Sequence, residues 1–285
     1  MNRLLPRVLM APAVAALLCW MLVPLLMTIY FSFVNYNLLQ PGEHPFNGWS
    51  NYAFFITDPD FLPAVWNTLL FLGSVLLITL VLGVLIALLV NEPFPGRGAV
   101  RVLLISPFFV MPTVNALLWK HMMMNPIYGV LASLWRTLGL QPVDWLTEVP
   151  LLSIIVMVSW QWLPFACLIF ITSLQSLDRE QMEAARMDGA NALQRFRHLT
   201  LPHLARPMAV VVMIEMIFLL SVFAEIAITT AGGPGNESTN LTYLIYKQSL
   251  MNFDVGVASA GALFAVVLAN IVAIFLIRIV GKNLD

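Results

Sequence analysis

Charge is what this chain has least of: 10% of its 285 residues are Asp, Glu, Lys or Arg, against 60% hydrophobic residues and a mean hydropathy of +0.87. A water-soluble domain cannot clothe its surface with so few charges. The formal net charge of -1 and a pI near 6.4 leave no basic excess for nucleic acid. Cysteine is scarce too. Cys19 and Cys167 both fall inside apolar runs, so no disulfide framework or cysteine metal cluster is expected. Period-two alternation is absent, which excludes a transmembrane β-barrel. Catalytic motifs are missing as well: there is no G-x-x-x-x-G-K-[ST], no H-E-x-x-H and no G-x-S-x-G, and the Gly281-Lys282 pair is followed by Asn283. The chain is therefore expected to be no enzyme, to hold no metal or cofactor, and to draw any energy from a partner.

What is present is long apolar sequence. Six runs can cross a hydrocarbon layer of about 30 Å at about 1.5 Å per residue, with approximate spans 8–33, 65–90, 102–121, 151–177, 207–230 and 255–278. Backbone groups in lipid must be satisfied internally, so each run reads as a helix, kinked at Pro12, Pro24, Pro107, Pro112 and Pro164. The first run is too long for a signal-peptide core, and Trp20 stands where a small residue would follow a cleavage site, so it is kept as a span. The expected fold is an all-α integral membrane protein, a single transmembrane domain over residues 1–285.

Orientation follows from the 14 Lys and Arg residues. With the N-terminus in the cytoplasm, the inside segments hold Arg3, Arg7, Arg97, Arg101, Arg179, Arg186, Arg195, Arg197, Arg206, Arg278 and Lys282. Lys120, Arg136 and Lys247 lie outside. Positive charge marks the cytoplasmic side, so both termini are expected there.

One cytoplasmic segment, residues 178–203, breaks the apolar pattern. Asp178 with Gln181 suits a helix start, and Asp188-Gly189 signals a turn. Asn191 with Gln194 can cap a second helix, which Pro202 is expected to stop near Thr200. A helix, a glycine turn and a helix make a connection ordered enough to be gripped. An ordinary loop whose arginines only set topology is the other physical reading.

Within "EAARMDGANALQRFRHLTLP", residues 183–202, the residues Glu183, Ala184, Ala185, Asp188, Gly189, Ala190, Leu201 and Pro202 resemble the EAA loop of permease subunits from binding-protein-dependent ABC importers. The departure is Leu199, where the family often has isoleucine. "WNTLLF" at 66–71, "WQWLPF" at 160–165 and "GGPGNESTNLTYLIYKQSL" after the fifth span extend the likeness to carbohydrate permeases of the maltose-system type, and "GGPGNEST" is nearest in wording to sorbitol and mannitol permeases. The resemblance implies a MetI-like core and a bacterial inner-membrane location. It implies a second homologous permease, two ATP-binding subunits carrying ATP and Mg, a solute-binding protein outside the cell, a carbohydrate solute, and surrounding membrane lipid as partners. In that family the loop is the coupling helix that docks on the ATPase. Glu183 would orient it, Ala184 and Ala185 permit close approach, Asp188 caps or bonds across the turn, Gly189 makes the turn, and Pro202 closes the motif. Phe196 would be an apolar anchor or pack within the loop. Solutes left open are a polyol, a di- or oligosaccharide and a glycerol-phosphate type; a secondary transporter is the rival class.

A sugar or polyol is uncharged and hydroxyl-rich, so its path needs hydrogen-bonding groups and aromatic faces. Polar residues inside spans are costly, which makes them candidates for the path or for pairing helices. The candidates are Asn115, Trp160, Gln161, Glu215, Glu225 and Asn270. On one continuous helix Glu215 and Glu225 would face about 80° apart, with Glu225 roughly 8 Å from the outer end. Outside, residues 130–140 read as a short surface helix with Val130, Leu131, Leu134 and Leu138 on one stripe, and residues 231–239 as a flexible turn.

Overall fold

The computed structural model describes residues 4–40, 42 and 44–281, and of residues 4–8, 179 and 276–281 the backbone alone. Arg3 and Lys282 of the charge count lie outside the described residues, as do the side chains of Arg7, Arg179 and Arg278. Among the described residues fourteen α-helices follow one another: α1 Leu4–Ser32, α2 Ser50–Thr57, α3 Phe61–Asn91, α4 Arg97–Ile105, α5 Pro112–Leu118, α6 Val130–Thr137, α7 Trp145–Glu148, α8 Pro150–Gln175, α9 Arg179–Met187, α10 Ala192–Arg195, α11 Leu201–Leu219, α12 Ala224–Thr229, α13 Leu241–Tyr246 and α14 Val255–Gly281. Among the described residues there is no strand, only isolated bridges. The fold is all-α, and among the described residues five helical stretches are long and apolar enough to cross a membrane, the sixth candidate being a broken pair.

Contacts divide the chain into two units. In the first, residues up to Leu62 with Leu244–Leu268, the buried Asn51 donates through Nδ2 to the carbonyls of Ser32 and Val34 at 3.0 and 2.9 Å, closing the turn that follows α1. Helix α14 is admitted close by because Gly256 and Gly261 lack side chains: a Cβ on Gly261 would sit 2.5 Å from the Phe55 ring. Lys247 pairs with Asp60 at 3.0 Å. Helix α1 turns most of its length outward, with Trp20 83% exposed, as a lipid-facing surface requires.

The second unit, Pro63–Tyr243 with the residues from Ala269, has α8 as its buried axis. Gly83 of α3 lets α8 approach closely, since a Cβ there would lie 3.0 Å from Ala166 and 3.1 Å from Phe170. Pro164 lies inside the unbroken α8.

Two spans differ from the sequence expectation. Residues 102–121 are not one kinked helix. Arg97–Phe109 and Pro112–Met123 meet at 105°, because Val110 and Met111 are extended ahead of Pro112. Nor are residues 207–230 one helix, since α11 ends at Leu219 and α12 starts at Ala224. Glu215 and Glu225 therefore sit on separate helices, and the single-helix angle between them does not apply.

Pro202 does not stop its helix either: residues Ala192–Leu219 run as one helical stretch. A π-helical turn over Phe196–Thr200 precedes the proline, and its widened hydrogen-bond ladder accommodates a ring that has no N–H to offer. The loop at 231–239 is not a flexible turn, for Ser238 and Thr239 are buried and its backbone is held by side chains of α3.

Candidate functional site

The charged helix–turn–helix is built by local rules. Asp178 Oδ1 accepts from the Glu180 N–H at 2.9 Å, capping α9. At the other end Gly189 takes φ +81°, its N–H bonds to Arg186 O at 3.1 Å, and the Ala190 N–H reaches Ala185 O at 2.9 Å. This pair of bonds closes the helix with a residue in the left-handed region, which glycine adopts without strain. Space is not the constraint, since a Cβ on Gly189 would meet nothing within 4 Å. Asn191 and Gln194 then form a reciprocal capping box at 2.9 and 2.8 Å.

Glu183, Ala184 and Asp188 are exposed on this element, and Ala185 is half-buried. Glu183 also lines a cavity of about 540 Å³ with Glu92, Arg97, Gln175 and Arg186. Phe196 is half-buried and packs against the chain's own core around Leu174 and Leu204. Pro202 is exposed. The apolar groups offered outward are Met187 and Leu193, 89% and 73% exposed on either side of the Gly189 turn. Sequence reasoning missed both, although their apolar character in a polar stretch was the available signal.

The intramembrane candidates do not converge on one site. Asn115 and Gln161 do meet: Asn115 Nδ2 donates to Gln161 Oε1 at 2.8 Å, and Gln161 Nε2 donates to the Val110 carbonyl at 2.6 Å. That carbonyl lies in the break between the two halves of the bent span, where no helical donor serves it. Trp160 stacks edge-on against Trp119, with centroids 5.8 Å apart. Glu215, fully buried, accepts from Thr79 Oγ1 at 2.7 Å and joins α11 to α3. Glu225 is 3% exposed on the short α12, and Asn270 is exposed on α14.

The second break is served in the same manner. Thr242 Oγ1 donates to the Leu220 carbonyl and Asn240 Nδ2 to the Val222 carbonyl, each at 2.6 Å. The following loop is pinned from α3, where Asn67 Nδ2 reaches the carbonyls of Asn236, Glu237 and Thr239 at 3.1, 3.1 and 3.0 Å. Thr68 Oγ1 accepts from the Leu241 N–H at 2.9 Å.

The geometry is that of broken helices in a membrane with a capped helical turn at one end, and comparison with known proteins identifies its kind. The sequence matches the family described as binding-protein-dependent transport system inner membrane component over residues 5–285. A probable ABC transporter permease protein, y4oQ of Sinorhizobium fredii, is 38% identical over 87% of this chain and 81% of its own length. The trehalose/maltose transport system permease protein MalF of Thermococcus litoralis is 30% identical over 90% and 87%. A crystal structure of a bacterial ABC transporter involved in the import of the acidic polysaccharide alginate shares the fold, with TM-score 0.80 at 24% identity, covering 98% of this chain and 95% of that one. The protein belongs to the family of binding-protein-dependent transport system inner membrane components.

Proposed function

We propose that this chain is one of two permease subunits of an ATP-driven importer that carries a carbohydrate across the bacterial cytoplasmic membrane. Its relatives support the solute class, one being named for trehalose and maltose. The observation that carries the coupling role is the turn itself: a capped, glycine-terminated α9 and a boxed α10 hold Met187 and Leu193 outward at the residues that resemble the EAA loop. Such an element presents a rigid apolar surface to an ATPase, which would bring ATP and Mg. The remaining partners in this reading are a second permease and an external solute-binding protein. The five arginines from Arg179 to Arg206 support a cytoplasmic position for this loop, and Arg3, Arg7, Arg278 and Lys282 support the same for the chain ends.

Alternating access would then move the broken helices. Asn115 and Gln161 hold the bent span together, so the solute path draws on Glu225 and its surroundings on α12, a short helix bounded by a break and a pinned loop. Sorbitol or mannitol is the finer reading, supported by the "GGPGNEST" wording alone.

The test is to tag the chain, extract it in mild detergent and identify what co-purifies, with Gly189→Trp in parallel. An ATPase and a second permease recovered with the native chain only are the expected result, after which the accompanying binding protein is screened against sugars and polyols. Recovery of the chain alone in both cases would point to a secondary transporter.

A further inference from the structure

A second cavity, of about 250 Å³, opens between α4 and α8 and has no part in the coupling turn or in the helix breaks. Its lining is graded along the two helices. Arg101, Thr172 and Gln175 belong to the ends of α4 and α8 nearest the cytoplasm, while Leu104, Ile105, Leu168 and Ile169 lie farther along the same helices. A cavity that is cationic at one end and apolar at the other matches an amphiphile whose head is an anion.

The guanidinium of Arg101 is underused. Its Nη2 reaches the Val90 carbonyl at 3.5 Å, but that acceptor already takes the shorter bond of 2.8 Å from Arg97 Nε. Arg101 Nε is buried and finds no partner among the described residues. A guanidinium carries five N–H donors in a fixed fork suited to phosphate oxygens, and a buried donor left unpaired is costly. Arg97, one turn earlier on α4, lines the larger cavity beside Glu92 and Glu183, so Arg101 is the cation of this one.

We propose that this cavity is a binding site for one anionic phospholipid of the cytoplasmic leaflet. The lipid phosphate accepts from Arg101, and the upper part of an acyl chain lies along Leu104, Ile105 and Leu168. A zwitterionic lipid lacks the net negative charge that the Arg101 guanidinium favours, and free phosphate cannot use the apolar floor. The leaflet rests on the orientation proposed above; the cavity and its cation do not depend on any ATPase partner.

The test uses the full chain with whatever subunits co-extract, stripped of lipid in detergent and titrated with phosphatidylglycerol or phosphatidylcholine, the bound lipids being counted by native mass spectrometry. The native protein should retain one phosphatidylglycerol in clear preference to phosphatidylcholine. Arg101→Gln should cut that preference about tenfold, the loss of one charge-assisted hydrogen bond, while the exposed Arg206→Gln leaves it unchanged. Leu168→Trp, which fills the apolar floor, should abolish retention and keeps the idea testable if the Arg101 variant is poorly recovered. Equal retention of the two lipids, equal losses in the Arg101 and Arg206 variants, or displacement by inorganic phosphate at matched concentration would each overturn the assignment. Recovery of the chain without an ATPase would leave this readout intact.

Discussion

At Asn67 one carboxamide nitrogen with two hydrogens serves three backbone carbonyls across a sequence separation of 169 to 172 residues. The bonds are shared by a side chain only 8% exposed, and of the three acceptor residues Thr239 is buried while Glu237 is exposed. Asn67→Ala would take this donor from all three; the Asn236 carbonyl keeps the Thr239 N–H at 3.1 Å, and stranding the buried Thr239 carbonyl would cost about 1–3 kcal/mol. The expected result is a lowered unfolding midpoint in detergent together with protease cleavage in residues 232–240. Asn67→Asp should not rescue, because a carboxylate has nothing to donate and would repel the carbonyl oxygens. An Asp variant as stable as the native protein would remove Asn67 as the loop's anchor. Both partners stood in quoted stretches of the sequence, "WNTLLF" and "GGPGNEST". Nothing in either stretch says that they touch, because a hydrogen bond between distant segments has no periodicity to read.

The elements differ in how much of them local sequence explains. The α9 to α10 turn follows from capping chemistry acting within five or six residues, so Asp178, Gly189, Asn191 and Gln194 could be placed before any tertiary contact was known. Its outward face could not, because exposure of Met187 and Leu193 and the packing of the half-buried Phe196 depend on where α11 docks against α8. Replacing Met187 and Leu193 together by Asp should cost little stability, both being exposed. The same change should abolish ATPase recovery in the tagged purification. Full ATPase recovery from the double variant would show that the polar residues of the turn suffice for docking. The helix breaks are a further case. Pro112 announced a disturbance in the third span, but a bend of 105° is tolerable in lipid only because Gln161, on another helix, supplies the donor that Val110 lacks. No proline lies in the break at 220–223, so that break left no signal at all.

For the whole molecule the decisive quantity is the distribution of charge. The three cations assigned outside are each engaged: Lys120 donates to the Ile228 carbonyl at 2.7 Å, Arg136 to the Pro126 carbonyl at 3.0 Å, and Lys247 pairs with Asp60. Cations tied to protein partners are compatible with the outer side, and the positive-inside bias is left to the other eleven. In a background lacking Cys19 and Cys167, Arg136→Cys should react with an impermeant maleimide added to intact cells, and Arg206→Cys only after permeabilisation. The reverse pattern would invert the proposed topology, placing the coupling turn on the wrong side for an ATPase.

Composition and the length of the apolar runs determined by themselves that this is a helical membrane protein, because a bilayer leaves a backbone few ways to satisfy its own hydrogen bonds. Short-range capping determined the turn between α9 and α10. The tertiary structure alone decided that two spans are broken, that Asn115 and Gln161 pair with each other, and that Asn67 holds a loop more than 160 residues away. Those outcomes depend on which side chain reaches an unsatisfied carbonyl on a different helix, and helix packing, not sequence spacing, sets that distance.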